Sequence, residues 1–86
     1  MTKQEERERA ALAIIGIRGR TIDMVRRYLN PLSFVYPNLK MSESSLRRVI
    51  KQLQARKLIE LHPGWDTLKP YMYRRTNKGD KYLAGK

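Results

Sequence analysis

The clearest pattern of hydrophobic and polar positions in the chain lies between residues 42 and 56. Its apolar side chains recur at i, i+3, i+4 and i+7, at Leu46, Val49, Ile50 and Leu53. This spacing places all four on one face of an α-helix. Ser42 precedes them and suits an N-cap, because its hydroxyl can accept a hydrogen bond from an otherwise unpaired backbone amide. We therefore predict an amphipathic helix over residues 42–56, followed directly by a short strand over residues 58–61.

The opposite face of this predicted helix is small or polar near its start and positively charged further along. Six of its residues are predicted contacts to DNA: Ser44, Ser45, Arg47, Arg48, Lys51 and Gln52. A helix that buries one side and exposes a narrow basic face fits the DNA major groove, which is about 12 Å wide. Arginine pairs with guanine and glutamine with adenine, so this face could read sequence. The same charges would also suit a surface helix that only contacts solvent. The rest of the sequence is needed to choose between these two interpretations.

Two helices are predicted before it. The first covers residues 2–17, because Thr2 and Glu5 have the spacing of a capping box and residues 10–15 are almost wholly apolar. Gly16 and Gly19, on either side of residues 17 and 18, are expected to end it. The second begins after Thr21 as N-cap.

Pro31 is expected to stop the second helix, since proline lacks an amide hydrogen. Its predicted apolar side leaves Arg26 and Arg27 pointing away. With Lys40, these two arginines are predicted to contact phosphates, which position a protein on DNA without reading its sequence.

Residues 30–40 contain two prolines and are predicted to form a loop with at most one helical turn. The loop is too apolar for a free linker. We expect its apolar side chains to pack onto the core or onto a partner: Leu32, Phe34, Val35 and Tyr36.

The C-terminal part predicts a second strand over residues 71–75, which forms a hairpin with the first strand. A short closing helix should follow Thr76 as N-cap. In the hairpin, Lys69, Arg74 and Arg75 are predicted to contact phosphate or the minor groove. Trp65 at its tip is expected to fold back over the core, and the alternative is that it stacks on or wedges into the nucleic acid.

The chain has 86 residues, enough for one domain over residues 1–86 with one modest core. It has 19 Lys and Arg against 8 Asp and Glu, a net charge of +11. Such a balance in so small a domain is typical of nucleic-acid binders. Six of the basic residues lie between positions 40 and 57, where Glu43 is the only acid.

Other functional classes find little support. Charged residues interrupt every apolar run, so no membrane span is predicted. Cysteine is absent, which is compatible with a reducing cytoplasm. His62 is the only histidine and has no cluster of metal ligands or catalytic partners around it in the sequence. We expect no enzyme activity, no metal and no cofactor.

The order of predicted elements is helix, helix, loop, basic helix, hairpin, short helix. This order indicates an α+β, mostly α fold of the winged helix-turn-helix type, with three helices, a two-stranded wing at residues 62–75 and a short C-terminal helix. In such a fold the basic helix is the recognition helix and the wing reaches the DNA backbone.

Two segments resemble PadR-like and MarR-like transcriptional regulators. Residues 44–59, SSLRRVIKQLQARKLI, resemble their recognition helix, which has a Ser/Thr-rich start, leucines, basic residues and Gly-Leu-Ile. Residues 73–83, YRRTNKGDKYL, are similar to their wing exit, Tyr-x-Leu-Thr-x-x-Gly-x-x-x-Leu. The resemblance implies a sequence-selective regulator that binds double-stranded DNA as a homodimer. Compact, very basic regulators of this kind are frequent in archaea and their viruses, which would place the protein in a cytoplasm, the host's if it is viral.

The chain departs from this pattern at two residues and at its end. Lys57 stands where glycine is usual, at a position that often needs positive φ. Arg75 stands where leucine is usual, which would leave a charge near the core or turn the strand. Family members commonly dimerise through an added C-terminal helix, whereas this sequence ends at Lys86. Its predicted dimer surface is therefore the first helix or residues 32–36.

Two alternatives from other classes stay open. One is an architectural DNA- or RNA-binding protein that uses the same fold and charge without sequence preference. The other is a protein-interaction module, in which the domain binds an acidic partner through its basic surface and docks through its apolar loop.

Overall fold

The computed structural model describes residues 2–64 and 71–85. They form an α+β, mostly helical fold. The helices are α1 (Lys3–Ile15), α2 (Ile22–Leu32), α3 (Glu43–Ala55) and α4 (Asn77–Leu83), with a 3-10 turn at Pro37–Leu39. The strands are β1 (Arg20–Thr21), β2 (Ile59–Leu61) and β3 (Met72–Arg75). None of the helices in the described residues has the length and apolar character needed to cross a membrane.

All four helices begin at the residues that the sequence predicts as N-caps. In each case a side-chain hydroxyl accepts a hydrogen bond from the amide three residues further on, at Thr2, Thr21, Ser42 and Thr76. Each bond satisfies one of the amides that a helix start leaves unpaired. α1 ends at Ile15, two residues before the predicted end, and Gly16, one of the two glycines expected to stop it, follows with φ of 66°.

The sheet has three antiparallel strands in the order β1-β3-β2, so the prediction of a two-stranded hairpin was incomplete. Glu60 of β2 pairs with Arg74 of β3, and on the other edge Arg20 of β1 pairs with Tyr73. β1 is only two residues long, too short to show an alternating pattern in the sequence. It forms because β3 would otherwise leave one edge without hydrogen-bond partners.

One hydrophobic core joins the first three helices to the sheet. The four apolar residues of the predicted α3 stripe are each no more than 2% exposed, which confirms that face of the helix as buried. The remaining buried apolar residues are Ala11, Leu12, Ile15, Val25, Leu29, Leu39, Leu58, Ile59 and Tyr73. α3 is therefore held from one side by α1, α2 and the sheet.

The structure differs from the sequence prediction at the end of α2, and it removes one of the two alternatives for the loop that follows. Pro31 lies inside the last turn, and the helix ends one residue later at Leu32. The loop after it does not pack on the core: Phe34 is 90% and Val35 70% exposed. Leu39 in the 3-10 turn enters the core in their place, so one apolar side chain is enough to anchor the loop.

The turn from α3 into β2 depends on Lys57, whose φ is 62° as the glycine position of the resemblance predicts. The Leu58 amide donates to the Leu53 carbonyl over 3.0 Å, and the Lys57 amide donates to Gln54 over 3.0 Å. These two bonds close the helix end in a Schellman motif. They direct Leu58 and Ile59 back into the core at the base of the hairpin.

Candidate nucleic-acid interface

The exposed face of α3 forms one wall of an open groove. Ser44, Arg47, Arg48 and Lys51 line this groove together with Ile22 at the start of α2 and Tyr73 of β3. The hydrophobic core shared by α2, α3 and β3, together with the pairing of β3 between two strands, fixes these elements relative to each other. The structure thus brings four of the six predicted α3 contacts to one continuous surface.

Arg48 and Lys51 are the most available cations of this surface. Both are exposed, and neither has an ion pair or hydrogen bond to any residue in the described ranges. They are three residues apart, so their side chains project from neighbouring positions on the helix surface. Their charges can therefore meet an external anion without first breaking an internal contact.

Arg47 and Arg26 are held at the start of α3 by Glu43. Glu43 accepts a hydrogen bond from Arg47 over 2.9 Å and lies 3.8 Å from the guanidinium of Arg26. The hydrogen bond from Arg47 lowers the pKa of the Glu43 carboxyl below its ordinary value. Sequence reasoning missed this cluster, although Glu43 and Arg47 have the i, i+4 spacing of a helical ion pair. The pair holds Arg47 at the rim of the groove.

Ser45 and Gln52 are placed differently from the other predicted contacts. Ser45 is half-buried, and its hydroxyl accepts a hydrogen bond from Ser42 over 3.1 Å within the N-cap. Gln52 accepts a hydrogen bond over 2.6 Å from Gln4 of α1. Both side chains therefore have partners inside the protein, and they lie at the margins of the α3 face.

The predicted phosphate contacts outside α3 are exposed. Arg27 and Lys40 are solvent-accessible, on α2 and just before α3. The backbone at Lys40 is fixed by Arg7, whose guanidinium donates to the carbonyls of Asn38 and Lys40 over 2.7 and 3.0 Å. This contact ties the loop to α1 and so sets the position at which α3 begins.

The described part of the predicted wing contributes less free charge than expected. Arg74 forms a 2.9 Å ion pair with Glu60 across the β2–β3 pair. Arg75 turns inward, is only 18% exposed and binds Asp80 of α4 and the carbonyl of Leu12. Its prediction as a DNA contact is corrected on that ground, because its guanidinium holds α4 against α1. Lys69 and Trp65 lie outside the described residues.

His62 follows β2 in the hairpin, and Tyr73 of β3 lines the groove. His62 accepts a hydrogen bond from the Gly64 amide over 3.2 Å, and the described part of the chain has no group of three residues that could hold a metal ion. Burial, and secondarily Tyr71, raises the pKa of the Tyr73 phenol above its ordinary value. Tyr73 is therefore neutral at physiological pH, and the groove gains no negative charge from it.

Comparisons of the chain with family models, with curated proteins and with solved structures found no match.

Proposed function

We propose that this protein is a winged helix-turn-helix DNA-binding protein, a transcriptional regulator that places α3 in the major groove of double-stranded DNA. The observation that carries the proposal is the basic face of α3. It is exposed along the helix, its central cations Arg48 and Lys51 have no partner in the described residues, and its other face is locked into the core.

The arrangement of elements supports the fold assignment. In the chain, β1 lies between α1 and α2, and the β2–β3 hairpin comes directly after α3. The three strands form one sheet in the order β1-β3-β2. α3 has 13 residues and is therefore about 20 Å long. A helix of this length, with one free basic face, can lie in a groove about 12 Å wide.

The residues divide into two roles. Arg48 and Lys51 occupy the centre of the face, where contact to base edges and the nearest phosphates is expected. Arg26 and Lys40 lie near the start of α3, and Arg27 follows Arg26 on α2. These three residues neutralise phosphates, which supplies most of the affinity but no sequence information. Arg47 can turn from Glu43 to a phosphate, since both side chains are about half exposed.

One observation favours the second candidate, an architectural protein without sequence preference. Ser45 and Gln52, which could both donate to and accept from bases, are hydrogen-bonded to Ser42 and Gln4. If these contacts persist on DNA, the face presents mainly cations and reads the backbone.

The class of nucleic acid is tested by fluorescence anisotropy with random duplex DNA, single-stranded DNA and duplex RNA, each over a salt series. We expect duplex DNA to bind most tightly. The logarithm of its binding constant should fall with the logarithm of salt concentration, with a slope near −0.9 for each neutralised phosphate. Equal binding of duplex RNA, or no binding of any of the three, would overturn the proposal. A selected sequence that binds no better than random duplex would favour the architectural candidate.

A further inference from the structure

The longest uncharged stretch of this very basic chain is also the most exposed apolar segment among the residues that the structure describes. Residues 28–39 contain no charged side chain, and no other uncharged stretch of the sequence is as long. Four of its side chains form what we call the α2–loop patch: Leu32, Phe34, Val35 and Tyr36, which are 38, 90, 70 and 52% exposed. Sequence reasoning expected them to meet either the core or a partner, and the structure removes the first possibility.

The α2–loop patch has a fixed shape. The Tyr36 amide donates to the Leu32 carbonyl over 2.8 Å, and the Ser33 hydroxyl donates to Asn30 over 2.6 Å. Beyond the patch, Leu39 is buried and Arg7 holds the backbone from α1. A preorganised apolar surface loses little conformational entropy when it is covered, which favours binding.

We propose that the α2–loop patch is the contact surface of a homodimer, with the same patch of a second copy as its occupant. The net charge of the chain determines which occupant we propose for the patch. Two copies that each carry +11 repel one another wherever their basic surfaces meet. They can approach closely through a surface that has no charge, and this patch is the longest such segment. An acidic partner would gain most at the basic surfaces instead.

The exposed area fits a weak dimer. Phe34 alone exposes on the order of 200 Å², because large aromatic side chains offer about that much surface. Tyr28, one helical turn before Leu32, lies outside the patch, because the guanidinium of Arg20 stacks on its ring, 4.2 Å from the centroid. The whole patch is on the order of 500 Å² per copy, and a symmetric pair would bury about 1,000 Å², the lower limit for a specific interface. We therefore expect a monomer–dimer equilibrium that depends on concentration.

The dimer leaves the α3 face free. Ile22, at the start of α2, lines the groove beside α3, whereas the patch begins at the other end of α2, about 15 Å further along the helix axis. The inference goes beyond the proposed function and does not depend on it, because the dimer is expected to form without DNA. If both hold, the protein presents two α3 helices related by a two-fold axis, which suits a palindromic site.

The test is sedimentation velocity of the full chain without DNA, in high salt to screen the charge repulsion, from about 1 μM to about 1 mM protein. Phe34→Ser is compared with Ile17→Ser. Ile17 is also an exposed apolar side chain, 65% exposed, but lies outside the patch. Circular dichroism checks that each variant keeps its helices.

We expect the wild type and Ile17→Ser to dimerise alike, and Phe34→Ser to weaken the dimer at least about tenfold, as truncation of a central aromatic anchor does. A wild type that stays monomeric to the highest concentration overturns the inference, and so does a Phe34→Ser variant that dimerises as well as Ile17→Ser. Because no DNA is present, either failure leaves the proposed DNA binding to be judged by its own experiment.

Discussion

Lys57 connects α3 to β2 in a backbone conformation that side chains with a Cβ adopt at a cost. Its φ is 62°, and its carbonyl accepts a hydrogen bond from the Thr76 hydroxyl over 2.7 Å. The Schellman bonds at this end of α3 require that conformation whichever residue is present. The fold therefore tolerates backbone strain at a single residue in order to bring the hairpin back onto the core.

Replacing Lys57 with glycine should stabilise the protein. Glycine adopts positive φ without the steric cost, so we expect Lys57→Gly to raise the free energy of unfolding by about 0.5–1 kcal/mol. The matched control is Lys51→Gly inside α3, where glycine should lower it by about 1 kcal/mol. Urea unfolding measures both. A loss of stability in both variants would contradict the role given to Lys57.

At the residue scale, features marked by a short sequence pattern could be predicted, whereas a contact between residues far apart in the sequence could not. The positive φ of Lys57 followed from the glycine usual at that position, and an arginine at position 75 near the core followed in the same way. The ion pair between buried Glu8 and Arg56, with 2.9 Å between carboxylate and guanidinium, had no such cue. The two residues are far apart in sequence, and Glu8 lies in the part of α1 that looks uniformly polar.

Among the elements, α4 lies so close to the sheet that only glycine fits at the point of contact, which is Gly79. A Cβ on Gly79 would overlap the carbonyl of Leu58 and the side chain of Arg75. The Thr76 hydroxyl accepts from the Gly79 amide over 3.1 Å and donates to the Lys57 and Leu58 carbonyls. Gly79 therefore allows α4 to begin directly against the strand that follows α3.

Gly79→Ala should destabilise the protein even though alanine is the better helix former. The added methyl group meets backbone, which cannot move aside as a side chain can, so we expect a loss of about 2 kcal/mol or more in unfolding free energy. Gly64→Ala is the control, because a Cβ there would have only ordinary contacts with His62. It should change stability by less than about 0.5 kcal/mol. Thermal unfolding of both variants measures these changes. Equal stabilities of Gly79→Ala and Gly64→Ala would refute the packing argument.

Elements with local signals were predictable and those that depend on tertiary contacts were not. The caps at Thr2, Thr21, Ser42 and Thr76 and the period of α3 are contained in a few consecutive residues. β1 exists only because β3 presents an edge to it. Apolar composition alone did not distinguish a buried loop from an exposed apolar surface, so the sequence left open whether Leu32, Phe34, Val35 and Tyr36 meet the core or a partner.

For the molecule as a whole, the sequence showed where the positively charged residues lie, but not which of them are held in ion pairs. Helical spacing predicted that Arg48 and Lys51 face outward. It did not show that Arg47 is held by Glu43, that Arg74 pairs with Glu60, or that Arg75 turns toward Asp80. These ion pairs leave Arg48 and Lys51 as the unpaired cations on the groove side of α3 and reduce the unpaired charge on the described part of the hairpin.

The central claim, that α3 is the surface that meets DNA, is tested most directly by comparing two variants that lose the same net charge. One is Arg48→Ala with Lys51→Ala on α3. The other is Lys78→Ala with Lys81→Ala on α4, which packs against α1 and β3 and whose two lysines are exposed. Binding of each to duplex DNA is titrated over a salt series by fluorescence anisotropy.

We predict that the α3 variant binds at least about tenfold more weakly and that its salt slope is reduced by about two phosphate contacts, with a larger loss on a preferred sequence than on random duplex. The α4 variant should keep the wild-type slope and lose much less affinity. Equal losses in the two variants would mean that only net charge matters, and would contradict the assignment of α3 as the DNA-reading helix.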